Sequence, residues 1–415
     1  MSIDLVVVGV GYVGLPLAEA ASAAGMSVVG YDTSPLVTAA VAGGRSHVPD
    51  VSDDRLRAMR ARGFRVTADP EVLANADTIV LCLPTGLTAE GRPDLGAVRS
   101  AAETVAEKLR PGTLVVLEST SFPGTTDEVV RPILERYGLT AGEDFPLGYS
   151  PERVDPGNPR FGLRNTPKVV SGHTPLCAKH CAAFYGRIAD TVVMAKGTRE
   201  AEMAKLLENT FRYVNIALIN EIAMFCHRIG IDVWDVVRCA STKPFGFMAF
   251  LPGPGVGGHC IPVDPKYLLD KAEREGTLLG VVHAARQVND RMPFHVVDRV
   301  KRLLARHGKP VRGAKVLLLG VAYKPGVPDT RESAAIQVAV RLRELGAELS
   351  YHDPMASPVP GLGPPVDDLD EALDTADIAV LLVAHRAYEP GRLTAAAKLL
   401  FDVTGQVPGE EVVRL

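Results

Sequence analysis

Residues 5–32 read LVVVGVGYVGLPLAEAASAAGMSVVGYD, and the order of residue types in this stretch decides the fold. The apolar run Leu5–Val8 leads into the glycine motif Gly9–Gly14, a helix-like stretch follows over 15–24, and a second apolar run, 27–31, ends at Asp32. This order predicts a strand-helix-strand unit that binds a dinucleotide, because glycines let the backbone approach a pyrophosphate and a helix N-terminus offers N–H groups to it. Asp32 can accept from ribose hydroxyls and repels a 2′-phosphate, so NAD is favoured over NADP.

The alternation of strands and helices continues through the N-terminal part of the chain. Strand-like runs cover Thr78–Leu83 and Thr113–Leu117, with a helix-like stretch over Leu95–Leu109 between them. This pattern is typical of a doubly wound sheet, in which ligands lie at the carboxyl ends of the strands. Thr85 and Thr120 follow two of these ends and are expected to face the cofactor, although turn formation and helix capping account for either residue equally well.

A long amphipathic helix is predicted over residues 198–229, which contain no proline and no internal glycine. Its apolar positions at helical spacing are Met203, Leu206, Leu207, Phe211, Val214, Leu218 and Ile222. We expect this helix to link the two halves of the chain and to supply a subunit interface.

The C-terminal part repeats the strand-helix-strand pattern without the glycine motif. Val316–Leu319 leads to Gly320, a helix is predicted over Ala334–Leu345, and Leu349–Tyr351 leads to Asp353. The fold class is therefore α/β, with two Rossmann-like doubly wound domains joined by a long central helix and a helical dimerisation region. The expected domains are residues 1–197, 198–300 and 301–415. Lys324 follows Gly320 closely and suits a phosphate other than the NAD pyrophosphate.

Composition excludes several classes of function. The chain has 415 residues, 47% of them apolar and 23% charged, with a net charge of −4 and no basic stripe for nucleic acid. It shows no signal segment and no uninterrupted apolar run long enough to span a bilayer, so we expect a cytoplasmic protein without a membrane partner. Six cysteines are too sparse for a disulfide framework, and the spacing of Cys177 and Cys181 fits two core positions better than a metal site.

One cysteine stands in a setting that favours chemistry over packing. Cys260 lies in the glycine- and proline-rich segment 253–265, and Asp264 follows four residues later. A thiolate is a good nucleophile when nearby cations or backbone donors lower its pKa, whereas a buried structural cysteine is the ordinary alternative. A nucleophilic thiol that shares a site with a hydride acceptor predicts oxidation through a thioester.

Seven motifs follow one another along the chain: Gly9-Val-Gly-Tyr-Val-Gly14, Leu83-Pro-Thr85, Glu118-Ser-Thr120, Ser150-Pro-Glu-Arg153, Glu202-Met-Ala-Lys205 with Asn209, Gly253-Pro-Gly-Val-Gly-Gly-His-Cys260 and Asp329-Thr-Arg-Glu-Ser333. In this order they resemble the UDP-glucose/GDP-mannose dehydrogenase family over nearly the whole chain. The resemblance implies an NAD-dependent oxidation of C6 of a nucleotide-diphosphate sugar, from alcohol to carboxylate, with two NAD+ and no metal. It also implies NAD binding by the first domain and sugar-nucleotide binding by the last.

The resemblance assigns roles to individual residues. Cys260 is the nucleophile that holds the aldehyde as a thiohemiacetal and then the acid as a thioester. The other catalytic residues implied are Lys205 and Asn209 at the oxyanion, Asp264 for proton transfer, Glu152 as the general base of hydrolysis and Thr120 for placing the water. Without the resemblance, Lys205 and Glu152 are ordinary solvated residues.

Binding residues are implied in the same way. Those for the cofactor are Gly9, Gly11, Tyr12, Val13, Gly14, Asp32, Pro84, Thr85, Ser119, Thr120 and Arg331. Those for the substrate are Glu152, Arg153, Lys205, Asn209, Phe250, Gly253, Gly255, Gly257 and Lys324. Arg331 is equally suited to a structural ion pair with Asp329 or Glu332.

The position of Val263 bears on the substrate. UDP-glucose and GDP-mannose dehydrogenases commonly carry lysine there, whereas Cys-Ile-Pro-Val-Asp-Pro is similar to the UDP-N-acetylhexosamine branch, which favours UDP-N-acetylmannosamine or UDP-N-acetylglucosamine. UDP-glucose and dTDP-glucose stay open. Two alternatives from other classes are a catalytically silent nucleotide-sugar binder and a one-step alcohol or hydroxyacid dehydrogenase. A homodimer or higher homo-oligomer is expected.

Overall fold

The computed structural model describes residues 3–155, 158 and 160–415. The chain divides into two compact units, each formed by two stretches of sequence. The first unit comprises residues 1–208 and 266–276, and the second comprises residues 209–265 and 277–415.

The first unit is built on an eight-stranded sheet. The strands of this unit are β1 (Leu5–Val8), β2 (Val28–Tyr31), β3 (Arg65–Thr67), β4 (Thr78–Leu81), β5 (Gly86–Leu87), β6 (Pro93–Asp94), β7 (Leu114–Leu117), β8 (Leu147–Tyr149), β9 (Lys168–Gly172) and β10 (Val192–Met194). β5 and β6 form a separate two-stranded hairpin, and the other eight strands form the sheet. The strand order is β10-β9-β8-β7-β4-β1-β2-β3, and every pair in it is parallel except β8 with β9. β1 and β7 are fully buried apolar runs, and β4 is fully buried and apolar after Thr78, as expected of parallel strands that are covered on both faces.

Helices lie between these strands in the first unit. They are α1 (Gly14–Ala23), α2 (Pro35–Ala42), α3 (Asp53–Ala61), α4 (Gly96–Lys108), α5 (Arg131–Leu134) and α6 (Pro175–Tyr185). A short 3-10 helix covers Pro70–Asn75, and α5 is preceded by a π-helical turn, Thr125–Val130, and followed by a 3-10 turn, Glu135–Tyr137. α6 packs on β9 and buries Cys177 and Cys181 one helical turn apart, as the sequence predicted.

The second unit contains a five-stranded parallel sheet. Its strands are β11 (Lys315–Leu319), β12 (Glu348–His352), β13 (Ile378–Leu381), β14 (Leu400–Asp402) and β15 (Val413–Arg414), in the order β12-β11-β13-β14-β15. Its helices are α8 (Val233–Ala240), α10 (Gly280–Arg306), α11 (Ala334–Glu344), α12 (Leu369–Thr375) and α13 (Pro390–Ala396). α10 and α11 pack against each other, and both contribute buried side chains to a core that also includes side chains of β11, β12, β13 and β14.

Two helices include residues of both units. α7 (Thr198–Ile229) runs for 32 residues, which confirms the helix predicted over 198–229, and α9 covers Asp264–Arg274. None of the helices in the described part of the chain combines the length and the apolar character that a membrane crossing requires.

The α/β class with two Rossmann-like sheets is confirmed. The strand predicted over Thr78–Leu83 ends later than the observed one, since β4 stops at Leu81, whereas the run predicted to end at Leu117 ends where β7 does. The division into domains at residues 197 and 300 stays a prediction.

Candidate active site

The glycine motif forms a close-packed turn with one open side. Gly9 has a φ of 88°, and a Cβ built on it would lie 2.5 Å from the carbonyl oxygen of Cys82. A Cβ on Gly14 would lie 1.9 Å from the Gly9 carbonyl oxygen, whereas one on Gly11 would meet nothing within 4 Å. The turn therefore needs glycine at both ends and leaves its middle open in front of α1, which is the cradle that a pyrophosphate requires.

Asp32 is held at the end of β2 with both carboxylate oxygens engaged by the backbone. Val10 donates its N–H to Oδ2 at 2.9 Å, and Ser34 donates to Oδ1 at 2.9 Å. Each oxygen keeps further acceptor capacity, so the carboxylate can also receive ribose hydroxyls. The glycine turn and Asp32 together fit NAD.

The other predicted cofactor residues of this unit stand at the same edge of the sheet. β4 pairs with β1 and with β7, so Pro84, Thr85 and the segment 118–121 follow neighbouring carboxyl ends. Ser119 connects two of these ends, because its hydroxyl accepts from the Leu83 N–H at 2.8 Å. Thr85 is buried, Thr120 and Val13 are half-buried and Tyr12 is exposed.

Glu152 and Arg153 lie in the segment that follows β8. Oε1 of Glu152 accepts the N–H of Val154 at 2.5 Å, which fixes one carboxylate oxygen. Arg153 pairs with Glu208 at 2.7 Å and donates to the Pro167 carbonyl oxygen at 2.7 Å. In the structure Arg153 thus connects its own segment to α7 and to the residue before β9. Its predicted role toward the substrate stays a prediction.

Glu202 fastens the start of α7 to the loop after β7. Its carboxylate accepts from the N–H groups of Gly124 at 2.6 Å and Thr126 at 2.8 Å, and from the Thr126 hydroxyl at 2.7 Å. Burial raises the pKa of Glu202 to about 7. Lys205 lies about one helical turn further along α7 and is also buried. The hydrogen bonds of Glu202 therefore fix the position of this lysine relative to the segment that follows β7.

In the second unit, Cys260 and Asp264 are brought together by a single turn. The N–H of Asp264 donates to the Cys260 carbonyl oxygen at 2.8 Å. The Asp264 carboxylate is buried and accepts the side-chain amide of Asn209 at 2.5 Å. Cys260 itself is exposed and forms no disulfide. A reachable thiol thus lies one turn from a carboxylate whose orientation is fixed.

The glycines before Cys260 are required by close packing against the β11 loop. A Cβ on Gly258, which has a φ of 90°, would lie 2.8 Å from the Tyr323 ring, and one on Gly257 would lie 2.9 Å from the Tyr323 Cβ. The N–H of Gly253 donates to the Asn220 side chain on α7 at 3.0 Å, and Asn220 donates to Asn289 on α10 at 3.1 Å. The segment that carries the thiol is therefore fixed to two helices and one loop of its unit.

A cavity of about 390 Å³ opens beside this segment, within the range of small-molecule sites. It lies at the carboxyl ends of β11, β13 and β14 and at the N-terminus of α11, where Ser333 caps the helix. Its lining comprises residues 252–255, 257, 322–325, 333–335, 382–384, 403, 404 and 406. Lys324 and the helix N-terminus supply the positive charge and N–H donors that a diphosphate needs.

Asp353 secures the backbone beside this cavity. It stands at the end of β12, the register position that Asp32 occupies after β2, but its acceptor capacity is used by the protein itself. Its carboxylate accepts from the N–H groups of Val321, Ala322, Met355 and Ala356 at 2.8–3.0 Å and from Nε2 of His385 at 3.2 Å. Burial alone would raise the pKa of Asp353, but the hydrogen bonds from His385 and the backbone hold this pKa well below its ordinary value.

The predicted site residues thus fall into two groups. The first unit holds the cofactor residues of the glycine turn and of β2, β4 and β7, together with Glu152, Arg153 and Lys205. The second holds Cys260, Asn209, Asp264, the glycine segment, Phe250, Lys324 and Arg331. Arg331 forms an ion pair with Asp329 at 2.6 Å, which is the structural alternative, and its role toward the cofactor stays a prediction.

Sequence reasoning missed several residues that support the site. Asn220, Asn289 and Tyr323 hold the cysteine segment, and Lys168 and Glu118 form a buried ion pair at 2.7 Å behind Glu152. A charged residue at the very end of a fully apolar strand run was the available signal for Glu118, since such a position is buried and must find a partner. The amides carried no comparable signal.

Comparison with protein families gives matches along most of the chain. The NAD binding domain of the UDP-glucose/GDP-mannose dehydrogenase family matches residues 3–189, its central domain matches residues 199–291, and its UDP binding domain matches residues 317–408.

Individual proteins agree with these matches. The chain is 35% identical over 402 residues to UDP-N-acetyl-D-mannosamine dehydrogenase of Escherichia coli, covering 92% of this chain and 94% of that protein. It is 37% identical over 357 residues to UDP-N-acetyl-D-glucosamine 6-dehydrogenase of Pseudomonas aeruginosa, covering 86% and 83%. The solved structure of a UDP-D-ManNAc dehydrogenase from Pyrococcus horikoshii superimposes with a TM-score of 0.91 at 32% identity, covering 99% of this chain and 98% of that one.

Proposed function

The chain belongs to the UDP-glucose/GDP-mannose dehydrogenase family and is an NAD-dependent nucleotide-sugar 6-dehydrogenase, and we propose that it oxidises a UDP-N-acetylhexosamine through a thioester on Cys260. The observation that carries the proposal is the arrangement of Cys260, Asp264 and Asn209. An exposed thiol follows a rigid glycine segment, and a buried, oriented carboxylate lies one turn away. A protein that only binds a nucleotide sugar has no need of this arrangement.

The proposed chemistry balances with two NAD+ and one water per sugar. NAD+ supplies the acceptor for each hydride that leaves C6. After the first hydride leaves, the Cys260 sulfur adds to the aldehyde carbon to give a thiohemiacetal, and loss of the second hydride from that carbon gives the thioester. Water then adds to the thioester carbonyl, the C–S bond breaks, and the carboxylate and the thiol are released. The products are one carboxylate, two NADH and three protons.

The remaining residues act on charges and protons in this sequence. Lys205 stabilises the oxygen that becomes negative when sulfur or water adds to C6, and Asn209 assists it. Asp264 carries the proton released from the alcohol or the thiol. Glu152 takes the proton of the attacking water, which Thr120 positions. The burial of Lys205 and Asp264 supports these roles, because electrostatic interactions are stronger away from bulk water.

An N-acetylated sugar is the favoured substrate. Val263 is buried in the turn after Cys260, in the Cys-Ile-Pro-Val-Asp-Pro form that resembles the N-acetylhexosamine branch. Relatives named for UDP-N-acetyl-D-mannosamine and UDP-N-acetyl-D-glucosamine support the same choice. The cavity beside Lys324 is the proposed site of the UDP diphosphate.

We also propose that the protein works as a homodimer or a larger homo-oligomer. The part of α7 in the second unit exposes Phe211, Leu218 and Phe225, with Leu218 and Phe225 each 56% accessible. Large apolar side chains that recur at intervals of seven residues form one face of a helix, and an exposed face of this kind marks an interaction surface. A second copy of α7 is the proposed occupant.

The test measures NADH formed per sugar nucleotide consumed, with NAD+ in excess. Limiting UDP-N-acetylmannosamine, UDP-N-acetylglucosamine, UDP-glucose and dTDP-glucose are compared in parallel. We expect two NADH per sugar with an N-acetylated substrate. Cys260→Ala is expected to abolish net carboxylate formation, whereas Cys239→Ala, which alters another exposed cysteine on α8, should behave as the wild type.

Other results would identify the alternatives. One NADH per sugar indicates a one-step alcohol dehydrogenase, and nucleotide-sugar binding without any NADH indicates a silent binder. Release of the uronic acid by Cys260→Ala at the wild-type rate would exclude the thioester.

A further inference from the structure

A buried group of ionisable side chains in the first unit has no part in the chemistry described so far. Glu118 directly follows β7, Lys168 begins β9 and Tyr185 ends α6. The Lys168 ammonium lies 2.7 Å from Oε1 of Glu118, and the Tyr185 hydroxyl donates to the same oxygen at 2.7 Å. The Cys82 thiol lies 3.7 Å from the other oxygen of Glu118.

Lys168 also faces the segment that carries Glu152. Its ammonium donates to the Pro151 carbonyl oxygen at 3.2 Å and lies 3.8 Å from Oε2 of Glu152. The other oxygen of Glu152, Oε1, is held by the Val154 N–H. One backbone donor and one buried cation therefore define where the Glu152 carboxylate points.

Lys168 supplies the positive charge that two carboxylates of this group face. Glu118 and Glu152 are two carboxylates around a single ammonium, and the Lys168 and Glu118 side chains are 5% and 0% accessible. Burial raises the pKa of Glu118, and burial also raises the pKa of the Cys82 thiol, which keeps that thiol protonated. Burial alone would lower the pKa of Lys168, but the attraction of Glu118 and Glu152 raises it. Without the ammonium, the buried carboxylate of Glu118 and the partly buried carboxylate of Glu152 would lose the cation that they share.

We propose that Lys168, fixed by Glu118 and Tyr185, is a positioning residue that directs the Glu152 carboxylate for its role as the base of thioester hydrolysis. This inference rests on the proposed function of Glu152. In that step Glu152 removes a proton from the water whose oxygen attacks the thioester carbonyl, and the Cys260 sulfur leaves with the C–S electron pair. Lys168 touches neither substrate nor cofactor in this assignment and acts only through Glu152.

The test compares the pH dependence of kcat for wild type, Lys168→Met and Lys179→Met, the last of which removes an exposed lysine on α6. We expect Lys168→Met to lower kcat at pH 7 by about tenfold, because the base of hydrolysis loses the cation that directs it, with recovery to within about threefold at pH 9, because hydroxide attacks the thioester there without a base. KM for the sugar nucleotide should change less than about twofold. Lys179→Met should match the wild type.

A second measurement separates positioning from general damage to the fold. In a stopped-flow experiment at pH 7, Lys168→Met should still give a rapid burst of two NADH per active site, since both hydride steps precede hydrolysis, followed by a slow steady state. A purely structural defect would reduce the burst and the steady state together. If the single variant does not fold, Glu118→Gln combined with Lys168→Met, which removes the ion pair as a whole, replaces it and should show a smaller change in the same direction.

The burst and the pH profile together test the role of Lys168. A burst followed by a slow, pH-dependent steady state supports the inference. An unchanged pH profile in a folded variant, or a burst that falls with the steady state, overturns it and leaves the proposed function intact. A wild-type protein that oxidises none of the four sugar nucleotides overturns both.

Discussion

Replacing Asp353 by asparagine is expected to destabilise the second unit and to weaken sugar-nucleotide binding. The carboxylate accepts five hydrogen bonds, two on Oδ1 and three on Oδ2. An amide has one acceptor oxygen, so in either orientation at least two N–H donors lose their partner. Each hydrogen bond to a charged acceptor contributes about 1.5–3 kcal/mol, so the loss of two lowers the free energy of unfolding by about 3–6 kcal/mol. At about 2–4 °C per kcal/mol for a unit of this size, Tm falls by roughly 6–24 °C.

The assay is thermal unfolding followed by circular dichroism at several pH values, together with steady-state kinetics. Asp353 has a folded pKa below its ordinary value of 3.8, so its stabilisation is present above pH 4 and is lost as the pH falls further. The Tm difference between wild type and Asp353→Asn should therefore stay constant from pH 5 to 8 and narrow below pH 4. Because the same carboxylate fixes Val321 and Ala322 beside the cavity, KM for the sugar nucleotide should rise while KM for NAD+ stays unchanged.

Asp374→Asn, at an exposed position on α12, is the matched control and should leave both quantities unchanged. An Asp353→Asn protein that keeps the wild-type Tm and the wild-type KM for the sugar nucleotide would refute the reasoning.

Two further predictions concern the glycine turn and the exposed face of α7. Gly14→Ala should raise KM for NAD+ at least about tenfold, because its Cβ would lie 1.9 Å from the Gly9 carbonyl oxygen and must displace the turn. Gly280→Ala, where a Cβ meets nothing within 4 Å, is the control. A Gly14→Ala protein with the wild-type KM for NAD+ would contradict this prediction. Leu218→Glu combined with Phe225→Glu should convert the oligomer to a monomer in light scattering after size-exclusion chromatography, since charges oppose burial of that face; an unchanged mass would exclude α7 as the interface.

The sequence predicted most of the fold because its signals are local. Each βαβ unit shows an apolar run, a turn and a helical period within about 30 residues, and α7 was bounded correctly by its freedom from proline and glycine. Periodicity did not reveal which apolar residues of α7 are covered. Its buried side includes Glu202, Lys205 and Asn209, whereas Phe211 and Leu218 are exposed, so polarity and burial are partly reversed along this helix.

The site was predictable only where a short motif carries the chemistry. Cys260 and Asp264 lie within one turn, and their relation follows from four residues of separation. The ion pair of Lys168 with Glu118 joins residues 50 positions apart, and it depends on β9 running antiparallel to β8. No residue near either one indicates that reversal. Side chains that support a site from distant strands therefore become visible only in three dimensions.

The two walls of the cavity beside Lys324 differ in how far they can change during evolution or design. On one wall, Gly255 and Gly257 pack so closely that an added Cβ would lie 3.0 Å or less from a neighbouring side chain, so substitution there disturbs the segment that carries the thiol. Another part of the lining consists of ordinary side chains that follow β13 and β14, including Leu382, Thr404 and Gln406. A library aimed at a new nucleotide or a new sugar should therefore vary the β13 and β14 ends and leave the glycine wall untouched.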